Sequence, residues 1–352
     1  MTRTLALLVL LVSAVAVGAT AAPRFAVDLA TYNYPDTVEG IAVVHTFVLS
    51  NVGDQELVIE SAIPGCHCTT AELAKNRLQP GESVGLYAIL DTEGFSSHVV
   101  RTITITSNDP IQPQHQLIVS FVGNVVGRQP YQKSVSDLYY DSYVLLDVRD
   151  AAAYAAGHLA GAMNLPMSQV ASVAAALPPG ALTIVYDQNG STSSAAGQAL
   201  HVGGLAAVYA LRGGLDLWQK SYGSARVVAG AGASWSFLDA SGARAYSTSG
   251  TVSQYDVSQL QSDYVLIDLR SPSAFAAGHI AGALNLSETE ISAFIDTLPR
   301  ATPVIVYSAD GTDSDRVVYN LWMHGSRAQS LLGGLAEWQK QHANYLIVSS
   351  SS

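Results

Sequence analysis

The sequence predicts a multidomain protein in which an all-β domain precedes two copies of an α/β domain. The first observation is a duplication. An Asp-x-Arg motif begins at Asp147 and again at Asp268, and a Gly-His motif begins at Gly157 and again at Gly278. The members of both pairs are 121 positions apart. A shared offset across separate motifs indicates a duplicated domain.

The second observation is the strand patterning of residues 24–127. Apolar and polar residues alternate from Ile41 to Leu49, and segments rich in β-branched residues follow at 56–59, 85–90, 101–106 and 116–122. Turn residues such as Pro80 and Gly81 separate these segments. Short strands at close intervals, without a helical period, predict a β-sandwich.

The third observation is a change of pattern after residue 127. Short apolar strands now alternate with Ala-rich helical stretches, which predicts a parallel sheet covered by helices on both faces. We assign the two α/β domains to residues 128–224 and 250–346. The Gly-, Ala- and Ser-rich residues 225–249 are predicted to be a loosely packed linker. Residues 347–352 are assigned to a tail, which is expected to be frayed from Ser349 to Ser352.

The N-terminus has the pattern of a signal peptide. Arg3 precedes an uncharged run from Leu5 to Val17, and small residues follow at 18–22. We predict a signal peptide at residues 1–21 and an exported protein, periplasmic or secreted. Because the run is shorter than the roughly 20 residues of a membrane span, an uncleaved anchor is the less favoured alternative. We expect no membrane span after signal cleavage.

The composition excludes several classes of function. With 49% hydrophobic and 13% charged residues the chain is typical of a compact globular protein rather than a disordered one. A net charge of −11 without any cluster of Lys and Arg argues against nucleic acid as a partner. No motif for a cofactor or a metal is present, so we predict neither.

The duplicated motifs resemble the rhodanese, or sulfurtransferase, family. They are Asp-x-Arg at a strand end, a Gly-His-x-x-Gly-Ala turn, a strand that runs into a seven-residue loop, and a Gly-Gly-x-x-x-Trp that ends at Trp218 and again at Trp338. Residues 24–127 resemble a bacterial immunoglobulin-like domain of unknown function with a Cys-x-Cys motif, here Cys66 to Cys68. The resemblances imply an immunoglobulin-like sandwich followed by tandem rhodanese-like domains.

The resemblance places the family's catalytic cysteine at Asp187 in the first copy and at Ser308 in the second. A thiolate at this position forms a persulfide, and loop N–H groups hold the anion. A carboxylate has no such chemistry and would itself occupy the anion position. An alcohol needs a base and forms no persulfide. We therefore predict that neither copy has an intact catalytic site.

The other loop residues keep the family's length but not its charge. Gly190 and Ser193 in the first loop have counterparts at Gly311 and Ser314 in the second. The first loop carries no cation and the second carries Asp310 and Asp313. An anionic sulfur donor such as thiosulfate would be repelled in both.

Several motif residues are predicted to be structural. Asp147 with Arg149, and Asp268 with Arg270, are expected to form ion pairs at the strand ends, with substrate contact as the alternative. His158 and His279, each following the glycine of a Gly-His motif (Gly157 and Gly278), are expected to fix a turn, with a catalytic or metal role as the alternative.

Cys66 and Cys68 are the only cysteines. Residues i and i+2 of a strand share a face, so three alternatives stay open: a disulfide or inert pair, a soft-metal site, and a redox or sulfur-relay role.

These observations predict a non-catalytic binding or scaffolding module in the cell envelope whose partner is an unknown protein or small ligand. The main alternative is a sulfurtransferase in which Cys66 or Cys68 carries the sulfur. A hydrolase or phosphatase-like activity on the Ser308 loop is the least favoured reading.

Overall fold

The structure is a computed structural model that describes residues 21–111, 116–238, 253–255, 257–298 and 302–351. The predicted signal peptide, apart from its last residue, and part of the predicted linker lie outside the described residues. The chain divides into two compact units. The first contains the described residues up to Asn33 with Val44–Ala88 and Val100–Val122; the second contains Tyr34–Val43, Ile89–Val99 and the residues from Gly123 onward.

The N-terminal region is β-rich. Its strands are β1 (Phe25–Val27), β2 (Thr31–Asn33), β3 (Thr37–Val38), β4 (Val43–Asn51), β5 (Leu57–Pro64), β6 (Thr69–Leu73), β7 (Arg77–Leu78), β8 (Ser83–Leu90), β9 (Ser97–Ser107) and β10 (Gln116–Val126). They form two sheets, with the orders β1-β4-β8-β6 and β2-β10-β9-β5-β7, and β3 also pairs with β10 in the second sheet. Alternate residues of β8 are buried, Leu86 and Ala88 among them, as the strand period requires.

The second unit contains both α/β copies. The first copy has β11 (Gln132–Lys133), α1 (Val135–Asp141), β12 (Tyr143–Asp147), α2 (Ala151–Ala156), β13 (His158–Leu159), β14 (Ala162–Asn164), α3 (Val170–Val173) flanked by short 3-10 turns, β15 (Leu182–Tyr186), α4 (Ser193–Val202), β16 (Ala207–Leu211) and α5 (Gly214–Tyr222).

The second copy repeats this order after two short strands, β17 (Val227–Val228) and β18 (Ser234–Phe237). Its elements are β19 (Ser253–Tyr255), α6 (Val257–Ser262), β20 (Val265–Asp268), α7 (Pro272–Ala277), β21 (His279–Ile280), β22 (Ala283–Asn285), α8 (Glu288–Asp296), β23 (Val304–Tyr307), α9 (Thr312–Met323), β24 (Gln329–Leu331), α10 (Gly334–His342) and β25 (Ile347–Ser351).

The two copies exchange their first strands. The parallel sheet of the first copy has the order β14-β12-β15-β16-β19, and that of the second has the order β22-β20-β23-β24-β11. Helices α1 and α6, which follow the exchanged strands, pack on α10 and α5 respectively. Each copy therefore completes the sheet of the other.

The predicted linker and tail contain ordered strands, which differs from our expectation. In the linker, β17 pairs with β13, and β18 pairs with the tail strand β25. Strand β25 also pairs with β21, so β17 and β25 occupy equivalent places in the two copies. Ile347 and Val348 of the tail are fully buried. Backbone pairing and apolar burial order these segments despite their low-complexity composition.

Local sequence determines several helix starts. Asp150 accepts a hydrogen bond from the N–H of Ala153 at 2.8 Å and caps α2, and Ser287 with Glu290 forms a capping box at α8. The core packs residues of both copies against each other, with Trp218 and Trp338 fully buried. Within the described residues, no helix is long and apolar enough to cross a membrane.

Candidate functional site

In the first copy, strand β15 runs into a loop that begins at Asp187. The side chain is 5% exposed, and its carboxylate accepts hydrogen bonds from the backbone N–H groups of Gly190 and Thr192 at 2.5 Å each. The hydroxyl of Ser191 lies 3.5 Å from the same carboxylate. The turn of N–H groups at the start of α4 is therefore occupied by the chain's own anion.

In the second copy, Ser308 holds the corresponding place at the end of β23. Its Oγ accepts a hydrogen bond from the backbone N–H of Ser314 at 3.3 Å. The same Oγ lies 3.4 Å from the hydroxyl oxygen of Ser314. Ser314 in turn donates to the carbonyl of Gly311. Among the described residues, no basic side chain is hydrogen-bonded to Ser308, so nothing there removes its proton.

Helix α5 holds the first loop, and helix α10 holds the second. The N–H of Leu215 donates to the carbonyl of Asp187 at 3.0 Å, and the N–H of Leu335 donates to that of Ser308 at the same distance. A Cβ on Gly214 or Gly334 would lie 2.4 Å from these carbonyl oxygens. Because this contact leaves no room for a Cβ, the second position of each Gly-Gly-x-x-x-Trp motif requires glycine.

Asp147 and Arg149 form an ion pair at the end of β12. The guanidinium donates to both carboxylate oxygens, and Nη2 also donates to the carbonyl of Gly157 at 2.7 Å. Nη1 reaches Gln188 of the first loop at 2.8 Å. Asp268, Arg270 and Gly278 repeat the pair in the second copy. Each pair ties a strand end to its Gly-His turn.

Two tyrosines to which the sequence motifs assign no role add a further connection in each copy. The phenol of Tyr186 accepts the backbone N–H of Leu159 at 3.0 Å, and Tyr307 does the same for Ile280 at 3.1 Å. Burial, and next the neighbouring Asp147 carboxylate, raises the pKa of Tyr186 well above its usual value. In the sequence, only the equivalent positions of the two tyrosines in the two copies indicate this role. An aromatic residue at the end of a buried strand otherwise indicates no more than a place in the hydrophobic core.

The two histidines of the Gly-His motifs have the same environment. His158 Nδ1 lies 2.9 Å from the carbonyl of Tyr154, and His279 Nδ1 lies 2.8 Å from that of Phe275. Each imidazole stacks on the preceding aromatic ring at 3.6 Å. Burial lowers the pKa of both histidines, so the rings are neutral at pH 7. The described residues contain no cluster of three or more His, Cys, Asp or Glu side chains suited to a metal ion.

Cys66 and Cys68 are joined by a disulfide, with their Cα atoms 5.2 Å apart. Of the three alternatives that the sequence left open, this is the one present in the structure. Both residues are partly exposed in the turn between β5 and β6. The pair belongs to the first compact unit, whereas Asp187 and Ser308 belong to the second.

Two family models match the chain. The model described as "Rhodanese-like domain" matches residues 132–221 and 253–341, which together are half of the chain. The model described as "Protein of unknown function (DUF1573)" matches residues 25–125.

Known proteins match parts of the chain. A relative from Pseudomonas putida (strain GB-1), named thiosulfate sulfurtransferase GlpE, is 34% identical over 95 residues, which are 27% of this chain and 86% of the relative. A thiosulfate sulfurtransferase structure from Pseudomonas aeruginosa is 20% identical, with a TM-score of 0.24, and the match covers 62% of this chain and 42% of that one. A structure of unknown function from Porphyromonas gingivalis W83 is 21% identical, with a TM-score of 0.27, and covers 30% of this chain and 50% of that one.

Proposed function

The chain belongs to the rhodanese-like domain family, and we propose that it is a non-catalytic member that acts as a binding or scaffolding module in the cell envelope. The observation that carries this proposal is the hydrogen bonding of Asp187. Its carboxylate accepts hydrogen bonds from the backbone N–H groups of Gly190 and Thr192. A sulfur-bearing anion at this loop would have to displace a charged group from two backbone donors.

The second loop supports the same proposal by a different route. Ser308 is 3% exposed, and its hydroxyl interacts with Ser314. A serine Oγ forms no persulfide, and its proton stays in place at neutral pH without a base. The two cysteines of the chain are bonded to each other and belong to the other compact unit.

A sulfane-sulfur assay tests the proposal. The purified protein is incubated with thiosulfate, and its intact mass is measured before and after cyanide treatment. We expect no gain of sulfur and no turnover of thiosulfate and cyanide. A Cys66→Ser/Cys68→Ser variant is the control. Cyanide-removable sulfur, or turnover above that of this variant, would contradict the proposal.

The competing function is a sulfur carrier that uses Cys66 or Cys68. It is supported by the partial exposure of the pair and by the similarity to proteins named thiosulfate sulfurtransferases. A thiol reductant must first open the disulfide, because the thiolate is the attacking species. The assay is therefore repeated after reduction. Sulfur that appears only in the reduced protein and maps to residue 66 or 68 would favour this function.

We also propose that the protein is exported after removal of residues 1–21. Arg3 and the apolar run Leu5–Val17 support the proposal, and a disulfide is typical of proteins outside the cytoplasm. Fractionation of cells followed by N-terminal sequencing tests it. We expect a periplasmic or secreted product that begins near Ala22, and a cytoplasmic product that retains Met1 would contradict it.

The N-terminal β-rich region is proposed to be an immunoglobulin-like sandwich over residues 24–127. Its two sheets and the alternating burial of β8 support this class. We keep 128–224 and 250–346 as the proposed limits of the rhodanese-like domains, with 225–249 between them. The residues matched by the family models lie within these limits. Limited proteolysis is expected to produce its first cuts outside the three ranges and outside the paired strands β17, β18 and β25.

A further inference from the structure

A cavity of about 220 Å³ lies where the two rhodanese-like copies meet, away from both loops. Equivalent residues of the two copies line it, each pair 121 positions apart. The pairs are Tyr154 with Phe275, His158 with His279, and Asn164 with Asn285. The turns of the two Gly-His motifs lie close together here. A Cβ on Gly161 would lie only 2.6 Å from the carbonyl oxygen of Gly282. The cavity thus has an approximate twofold arrangement of chemical groups.

The walls of the cavity favour a flat and uncharged ligand. Trp235 adds a third aromatic side chain to those of Tyr154 and Phe275, and Met163 and Leu284 add aliphatic surface. No Asp, Glu, Lys or Arg is among the described residues that line the cavity. A charged ligand would lose its hydration without gaining a counter-ion, which is costly.

The imidazoles present hydrogen-bond acceptors. In His158 and His279 the Nδ1 atom lies within hydrogen-bonding distance of a backbone carbonyl, so it carries the proton of the neutral ring. Nε2 is then an unprotonated acceptor, and neither Nε2 atom has a hydrogen-bond partner among the described residues.

The amides present acceptors as well. The side-chain nitrogen of Asn164 donates to the carbonyls of Asp147 and Arg149 at 3.1 and 2.9 Å. That of Asn285 donates to the carbonyls of Asp268 and Arg270 at 3.0 and 2.7 Å. Both hydrogens of each amide are thereby used, and only Oδ1 is left to meet a ligand.

We propose that this cavity binds a neutral aromatic molecule with hydrogen-bond donors at opposite ends, of the dihydroxybenzene class. Aromatic side chains from both copies suit a planar ligand, and acceptors from both copies suit a ligand that carries two donors. The site is separate from Asp187 and Ser308, so it goes beyond the proposed function and stands whether or not those loops transfer sulfur.

Calorimetric titration of the purified protein tests this site. The probe is 1,4-dihydroxybenzene, kept under nitrogen. The comparison ligands are 1,4-dimethoxybenzene, in which methyl groups replace the donor hydrogens, and terephthalate, which carries a negative charge at each end of the ring. We expect saturable binding of the diol, binding of the diether weaker by about tenfold or more, and none of terephthalate. Equal binding of diol and diether, or no binding of the diol, would overturn the proposal.

Variants locate the binding. His158→Phe and His279→Phe keep a ring stacked on the neighbouring aromatic residue and remove the acceptor. We expect each to weaken diol binding by about tenfold, and the double variant to abolish it. His324→Ala is the control, because His324 has the same Nδ1 contact with a carbonyl, that of Asn320, and lies outside the cavity. Unchanged affinity in a double variant that melts like the parent would also overturn the proposal.

Discussion

The phenolic Oη of Tyr143 donates a hydrogen bond to the backbone carbonyl of Tyr264 at 3.2 Å. These residues are counterparts, 121 positions apart in the two rhodanese-like copies. Both rings are buried, with their centroids 5.5 Å apart. The duplicated domains therefore contact each other through equivalent residues, and the exchange of strands β11 and β19 makes each sheet depend on the other copy.

Arg226 is a buried cation at this contact and is expected to be important for stability. It is 2% exposed and donates to the phenol of Tyr143 at 3.0 Å and to the carbonyls of Leu260 and Asp263 at 2.7 and 3.3 Å. Arg226→Ala leaves these acceptors without this donor and creates a void, so we expect a loss of about 3 kcal/mol in the free energy of unfolding. Urea denaturation measures it.

Arg327→Ala is the control, since Arg327 is exposed. We expect that change to stay within about 0.5 kcal/mol. Similar losses in the two variants would show that Arg226 does not stabilise the contact.

The second glycine of each Gly-Gly motif is expected to be intolerant of a side chain. In Gly214→Ala and Gly334→Ala the new Cβ would lie 2.4 Å from the carbonyl oxygen of Asp187 or Ser308, at a positive φ. We expect a loss of about 3 kcal/mol or more in each case, from the clash together with the left-handed backbone. Thermal unfolding compares the variants with the parent.

Gly325→Ala separates the two effects, because Gly325 also has a positive φ but has no atom within 4 Å of a built Cβ. Only the backbone cost of about 1–2 kcal/mol is expected there. If Gly325→Ala costs as much as Gly214→Ala, the close approach of loop and helix is not what requires glycine.

Replacing Ser308 by cysteine is expected to create a sulfur-binding position in the second copy. In Ser308→Cys, made in a Cys66→Ser/Cys68→Ser background, a thiolate would sit at the position that already accepts the N–H of Ser314 at 3.3 Å. Donation from this N–H near the start of α9 lowers the pKa of a thiol. Because Asp310 and Asp313 oppose the approach of this anionic donor, we expect a slow cyanide-removable mass gain at high thiosulfate concentration, read by intact-mass spectrometry.

The background variant without Ser308→Cys is the reference and is expected to gain nothing. Absence of sulfur in both proteins would mean that a thiol at residue 308 is not sufficient for sulfur binding, because Asp310 and Asp313 repel the donor.

Stability is expected to fall in mild acid because of His342. Burial lowers the pKa of this histidine from 6.5 to about 4. As the pH falls, His342 therefore takes up a proton near pH 6.5 in the unfolded chain but only near pH 4 in the folded chain. Stability is fully present above pH 6.5 and decreases as the pH falls from 6.5 to 4, by about 3 kcal/mol at most.

Urea denaturation between pH 4 and 7.5 measures this dependence, and His342→Gln is expected to reduce it. The lowered pKa values of His158 and His279 act in the same direction, so part of the slope should remain in the variant. A parent protein whose stability is constant over this range would contradict the prediction.

The sequence by itself determined the features that depend on local spacing. The duplication, the strand-to-loop junctions at Asp187 and Ser308, and the α/β class follow from motifs and periods within short windows. The matches of the rhodanese-like model to residues 132–221 and 253–341 agree with that interpretation. Hydrophobic period and turn residues act on near neighbours, and they are therefore readable without the fold.

Only the tertiary structure decided which segments meet. The exchange of β11 and β19, the burial of Arg226, the strands formed by residues 227–228 and 347–351, and the cavity lined by His158 and His279 all join residues far apart in the chain. A Gly- and Ser-rich segment has no apolar period to indicate a strand, and a lone arginine has no local signal of burial. Their states are set by backbone pairing and packing with distant partners, which a single sequence does not encode as a pattern.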